Sequence, residues 1–125
     1  MQNCMLKGKI HGGTVTDANV AYEGSVSIDP ALMEAAGILT HEQVQIWSVT
    51  TGARLTTYAI PGAAGEICIN GAAAHLIKKG EVVIIACFAW MDRSEAVKHH
   101  PDVIFLDGAN RIKERRAELK SVARG

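Results

Sequence analysis

Seven consecutive apolar residues, Val82-Val83-Ile84-Ile85-Ala86-Cys87-Phe88, limit the fold of this chain more than any other feature. Branched side chains crowd a helix and suit a pleated strand, and a strand apolar on both faces must be covered on both sides. The segment is therefore expected as a central strand. Even the longer apolar run over residues 82–91 is too short to cross a bilayer. Around it lie further runs rich in Val, Ile, Thr or aromatic residues, at 4–10, 14–20, 25–28, 44–50, 54–60, 66–69 and 103–106. Gly12-Gly13, Thr51-Gly52, Pro61-Gly62 and Lys79-Gly80 punctuate them as expected turns.

Helical signals are few. Asp29 followed by Pro30 reads as an N-cap with proline at the first helical position, and the helix over 31–36 is expected to end at Gly37 in the left-handed region. A second short helix is expected over 94–99, stopping before Pro101, and residues 110–125 read as a charged C-terminal helix or tail. No repeat or shift in composition divides the 125 residues, of which 48% are hydrophobic, so one domain over 1–125 is expected. The sum is a mainly β fold, a compact barrel with small flanking helices, and association into an oligomer would help so small a core.

Charge and cysteine usage narrow the partners. Thirteen Lys and Arg balance thirteen Asp and Glu, which leaves no bulk field to gather nucleic acid or an anionic membrane. From Asn110 onward six basic residues face two acidic ones, so the tail is +4 and the remainder −4. Cys4, Cys68 and Cys87 are odd in number and lack a C-x-x-C pair, which suits a reducing cytoplasm and gives no zinc knuckle. Residues 1–13 have no apolar run of signal-peptide length. His99-His100 beside Pro101 reads as a surface turn, and no metal is expected. Dinucleotide, Walker, nucleophile-elbow and zincin motifs are missing.

The informative segment is Tyr22-Glu23-Gly24-Ser25, which on its own reads as a turn between two strands. Its company is Lys7-Gly8-Lys9-Ile10-His11, Trp47-Ser48-Val49-Thr50-Thr51-Gly52, Arg54-Leu55-Thr56-Thr57-Tyr58-Ala59-Ile60 and Asn70-Gly71-Ala72-Ala73-Ala74-His75. With these blocks, in order and at their spacing, the chain resembles the bacterial aspartate 1-decarboxylases from residue 5 to about residue 106. These are pyruvoyl-dependent enzymes that make β-alanine from L-aspartate for pantothenate and coenzyme A synthesis. Gly12-Gly13 stands where bulkier residues are usual in that family, and the stretch over 61–65 varies in length among its members.

The resemblance implies a six-stranded double-psi β-barrel, a cytoplasmic homotetramer, and a proenzyme that cuts itself between Gly24 and Ser25 into a small chain (1–24) and a large chain (25–125). It implies no metal and no pyridoxal phosphate. Ser25 would become the covalently attached pyruvoyl group, with Thr57 holding the processing oxyanion and Tyr58 returning a proton to the substrate carbon. Gly24, without a Cβ, would leave its carbonyl open and its backbone free to adopt a strained or positive-φ form. The family leaves open whether a maturation protein assists the cut.

L-Aspartate carries two carboxylates, and the resemblance places Lys9 and Arg54 against them, with backbone N–H groups of Gly71, Ala72 and Ala73 close to the ligand. His11, Tyr22 and Asn70 would support the site. Asn70 also reads as a plain cap of a helix starting at Ala72, and Trp47 as packing. Strand alternation adds a point of its own: residues 54, 56 and 58 share one face, so Arg54 and Tyr58 can point into one site. Two other readings stand beside this one, a pyruvoyl decarboxylase of another amino acid and a non-enzymatic small β-barrel interaction module. The pairing of Lys9 with Arg54 favours a dicarboxylate.

Overall fold

A computed structural model describes residues 1–117. Nine strands form one ladder: β1 (Gln2–Thr14), β2 (Asp17–Asn19), β3 (Ser25–Ile28), β4 (Gln43–Ser48), β5 (Arg54–Pro61), β6 (Ile67–Asn70), β7 (Val82–Asp92), β8 (Asp102–Leu106) and β9 (Ile112–Arg115). The helices are small: α1 (Pro30–Ala36), α2 (Arg93–Ala96) and a 3-10 helix, Gly71–His75. The fold is mainly β, as the residue pattern requires, with three strands beyond the expected six.

Spatial order along the ladder is β2-β6-β3-β5-β4-β7-β1-β8-β9. The apolar run 82–88 lies in β7, between β4 and β1, which is the central position expected of it. Val83, Ile85, Ala86 and Cys87 are fully buried, whereas Ile84 is only partly buried and Val82 and Phe88 are exposed, so the cover expected on both faces is incomplete on one of them within a single chain. The ladder rolls around Ile10, Val26, Ile46, Ile67, Ile85 and Ile104. Truncating any one of the isoleucines to alanine would cost ~2–5 kcal/mol.

Asn110 draws the two ends of the roll together. Its Oδ1 accepts from Thr14 N at 2.7 Å, and its Nδ2 donates to Thr14 O and to Gly65 O, each at 2.9 Å. Asn110 is 3% exposed and has φ 60, a left-handed conformation that asparagine tolerates better than most side chains.

α1 is placed as its sequence predicts: Asp29 Oδ1 accepts from Ala31 N at 2.8 Å, and Gly37 closes the helix at φ 72. Other local readings are corrected by tertiary pairing. Gly12-Gly13 is no turn, because β1 runs through both glycines, with Gly12 at φ 82 forming a bulge against β7. A Cβ at Gly13 would stand 2.5 Å from Ile67 Cδ1, so a side chain there would require the end of Ile67 to move. The expected strand over 14–20 reduces to the three residues of β2, and the helix over 94–99 to the four of α2. Residues 112–115, expected as part of a charged helix or tail, form β9 because β8 offers a free edge to pair with. Residues 118–125 of that expectation lie outside the described residues.

Candidate active site

Strand register decides which candidate residues share a surface, since directly paired residues point to the same side and neighbours along a strand alternate. Val26 pairs with Ala59 on β5 and with Ile69 on β6, and all three face the core. The neighbouring set, Ser25 with Asn70 and Ser27 with Cys68, therefore faces outward. Continuing the parallel β3–β5 register back from Val26 sets Ser25 level with Tyr58 and Gly24 level with Thr57. Tyr58 thus falls on the outward side with Ser25, and Thr57 on the inward side with Gly24.

The same outward face continues across the ladder. Thr56 pairs with Gln45, Gln45 with Ala86, and Ala86 with Lys9; in the next row Arg54 pairs with Trp47, Trp47 with Ile84, and Ile84 with His11. Lys9, His11, Arg54, Tyr58 and Ser25 thus share one face, although they come from three distant blocks of sequence. They do not converge on one point within the chain. β1 lies four strands from β3, ~19 Å along the sheet at the usual strand spacing.

Ser25 opens β3 and is only 1% exposed. Its Oγ accepts a hydrogen bond from Asn70 Nδ2 at 3.0 Å. Asn70 Nδ2 also donates to Ser27 Oγ at 3.0 Å, and Cys68 Sγ donates to Asn70 Oδ1 at 3.3 Å. The capping role expected of Asn70 is not found, since its side chain makes no cap hydrogen bond to the helix that follows. That helix is a 3-10 turn of five residues starting at Gly71, and so lacks the longer helix dipole that an α-helix from Ala72 would have supplied.

A cleft of about 290 Å³ opens beside Ser25, lined by Gly24, Leu55, Thr56, Thr57, Asn70, Ala72, Ala73 and Leu76. It brings together five residues expected at the site and adds Leu55, Thr56 and Leu76, to which no site role had been given. Lys9, Arg54, Tyr58 and His11 are not among its walls. Arg54 places its guanidinium carbon 4.9 Å from the centre of the Trp47 ring, so Trp47 supports a cation as well as packing. Tyr58 is 38% exposed with its ring centre 6.1 Å from that of His41, and His11 lies 5.2 Å from Phe105, ring to ring. The Tyr22 ring is exposed.

The need for glycine at the cleft falls elsewhere than expected. Gly24 is not in the positive-φ region, and a Cβ there would meet nothing within 4 Å. Gly71 has φ 70, and a Cβ on it would stand 2.6 Å from Gly24 Cα and 2.7 Å from Gly24 N. The bare backbone of Gly71 is what lets the backbone at Gly24 N and Cα lie against the start of the 3-10 helix.

Burial pushes the Cys68 thiol up from its ordinary value, with Glu66 and Asp17 adding to the shift. Cys87, in the core, is pushed up to about 11, first by burial and then by Glu42. All three cysteines are free thiols. Among the described residues no group of three or more His, Cys, Asp or Glu side chains gathers as a metal site, and no helix is long and apolar enough to cross a membrane. His99 Nε2 lies 2.7 Å from Leu6 O, so that ring ties α2 to β1.

Residues 1–113 match the sequence profile of the family described as aspartate decarboxylase. The aspartate 1-decarboxylase of Clostridium beijerinckii is 55% identical over 112 residues, which covers 88% of this chain and 90% of that protein. Those of Legionella pneumophila (strain Lens; 50% identity, 91% of this chain and 87% of the relative) and Bdellovibrio bacteriovorus (48%, 94% and 95%) align as fully.

Proposed function

The chain belongs to the aspartate decarboxylase family, and from that premise we propose how its residues divide the work of a carboxy-lyase that converts L-aspartate to β-alanine and carbon dioxide. One observation carries the division: the Ser25 hydroxyl is buried and held by Asn70, immediately after an open Gly24. That is the arrangement expected of a nucleophile aimed at its own preceding peptide bond.

In this reading the single domain is made as a proenzyme. Ser25 Oγ bonds to the Gly24 carbonyl carbon, the Gly24–Ser25 C–N bond breaks, and the hydroxyl proton passes to the Ser25 nitrogen, leaving an ester. Loss of the Ser25 Cα proton then breaks the Cβ–Oγ bond and releases residues 1–24 with a terminal carboxylate. Water replaces the nitrogen as ammonia, so that residues 25–125 begin with a pyruvoyl group. Thr57, level with Gly24, donates to the carbonyl oxygen as charge gathers there. The buried Ser25 position, its amide donor and the cleft of small residues beside it fit such a group. When present, it supplies the electron sink that decarboxylation of an amino acid requires and that no ordinary side chain offers.

The chain's own residues bind and orient. Arg54 and Lys9 hold the carboxylates of aspartate, Arg54 as a planar fork and Lys9 as a point charge. Ala72 and Ala73 line the cleft with small side chains and Gly71 precedes them, so the ligand can approach their backbone. Tyr58, on the same face as Ser25, keeps the phenolic proton that returns to the substrate carbon. His11, Tyr22 and Asn70 support these groups.

As one chain presents them, Arg54 and Tyr58 face solvent, where charge interactions are weak. Association into a homotetramer would cover this face and strengthen them. The reading places the enzyme in the cytoplasm, with a maturation protein as a partner if cleavage is assisted.

Intact-mass measurement tests the proposal. Purified protein should resolve into residues 1–24 and a large chain beginning with a carbonyl group that reacts with phenylhydrazine. A single uncut species that ignores the reagent would refute it.

A further inference from the structure

The Asn70 amide has two chemically different ends, and the end turned toward Ser25 decides what that hydroxyl can do. With Nδ2 toward it, the serine oxygen accepts a hydrogen bond and its proton stays available for transfer. With Oδ1 toward it, the hydroxyl would donate to the amide, and its proton would be engaged there. The structure has the first arrangement, with Nδ2 3.0 Å from both Ser25 Oγ and Ser27 Oγ and Oδ1 3.3 Å from Cys68 Sγ.

The two hydroxyls cannot select that orientation, because each donates or accepts with equal ease. A thiol can, because its S–H is a donor and its sulfur a poor acceptor toward an amide N–H. Cys68 is 8% exposed, and burial, Glu66 and Asp17 all favour its protonated form, so the donor is retained.

Resting on the assignment of Ser25 as the cleaved residue, we propose that Cys68 and Ser27 are positioning residues for self-cleavage. The Cys68 thiol fixes the Asn70 amide with Nδ2 on Ser25 Oγ, and Ser27 takes up the second N–H. The N–H so placed stabilises the negative charge that Oγ carries when the hydroxyl attacks Gly24. It stabilises the same oxygen again when the Cβ–Oγ bond breaks and Oγ departs as part of the Gly24 carboxylate. Asn70 acts on Ser25 directly, whereas Cys68 and Ser27 act through Asn70.

The test follows cleavage of freshly translated full-length chain by intact mass, with thermal midpoint recorded for each variant. Cys68→Ala should slow cleavage about tenfold, the loss of one hydrogen bond's worth of orientation, and Cys68→Ser, whose hydroxyl accepts from an amide as readily as it donates to one, should slow it nearly as much. Ser27→Ala should slow cleavage by a smaller factor. In an Asn70→Ala background, adding Cys68→Ala should change nothing further. This non-additivity distinguishes orientation from loss of packing, which would slow both backgrounds alike. A cleaving parent whose Cys68→Ala variant keeps pace, or is slowed equally without Asn70, overturns the clamp alone. A parent that never cleaves overturns the assignment of Ser25 and the clamp with it.

Discussion

Two regions of the outward face differ in how complete they are. At the β3–β6 end, Ser25, Asn70, Ser27 and Cys68 form a network of neutral groups, hydrogen-bonded to one another and largely shielded from water. Across β5 and β4, Arg54 over Trp47 and Tyr58 near His41 carry the charge and the acidic proton, and they stand exposed. The first region is finished within one chain, as suits a reaction that happens once and in cis. The second has the right chemical groups but lacks the desolvation that would make them strong. The contrast teaches that cleavage and turnover should be separable by mutation, because they draw on different parts of the sheet.

The sharpest way to break that contrast is Ser25→Ala, which removes the only hydroxyl that can attack Gly24. Cleavage should vanish, leaving one 13.4 kDa species that is folded by circular dichroism and without activity. Any residual cut after Gly24 would sink the assignment. Next in size is Gly71→Ala, whose Cβ would meet the Gly24 backbone at 2.6 Å and whose φ of 70 is strained for alanine. A loss of ~1–3 kcal/mol in urea unfolding is expected, with cleavage slowed at least as much as in Asn70→Ala. Gly24→Ala, by contrast, should fold with parental stability, since nothing lies within 4 Å of the added carbon.

Arg54→Ala sharpens the comparison from the other side. It should leave the rate of cleavage within about twofold of the parent while lowering kcat/KM for aspartate ~10–100-fold, the loss of one charge-assisted contact. Equal losses in both measurements would show that the two regions are one.

The smallest effect concerns the core beneath both. Cys87 is pushed up to about 11, so in the pH range between its unfolded value and that value the native chain binds more protons than the unfolded one. Its stabilising contribution is present at neutral pH and is lost as pH rises through that window. Urea midpoints should fall from pH 8.5 to 10.5, and the slope should flatten in Cys87→Ala, which has no proton to lose.

How far the residues alone carried this reading differs from element to element. Asp29, Pro30 and Gly37 mark α1 because capping is settled within one turn of chain, and the apolar run 82–88 marks the central strand because it needs cover on both faces. The shared face of residues 54, 56 and 58 was equally legible, since alternation is a property of a single strand. The clamp on Ser25 was not. The family blocks put Asn70 at the site, but nothing ties Cys68 to it or aims the Asn70 amide at Ser25 and Ser27, residues more than forty positions earlier, until β3 and β6 pair. Nor could sequence say that Gly71, and not Gly24, is the glycine the site requires.

Local order, then, is written in the chain: caps, alternation and the blocks that mark the family depend on neighbours only a few residues apart. Tertiary structure decided the rest. Whether Gly12-Gly13 turns or continues, whether 112–115 coils or pairs, and which end of an amide meets a hydroxyl depend on partners that arrive from elsewhere. A backbone or side-chain polar group left unpaired on burial costs more than any local preference supplies, so the available partner wins.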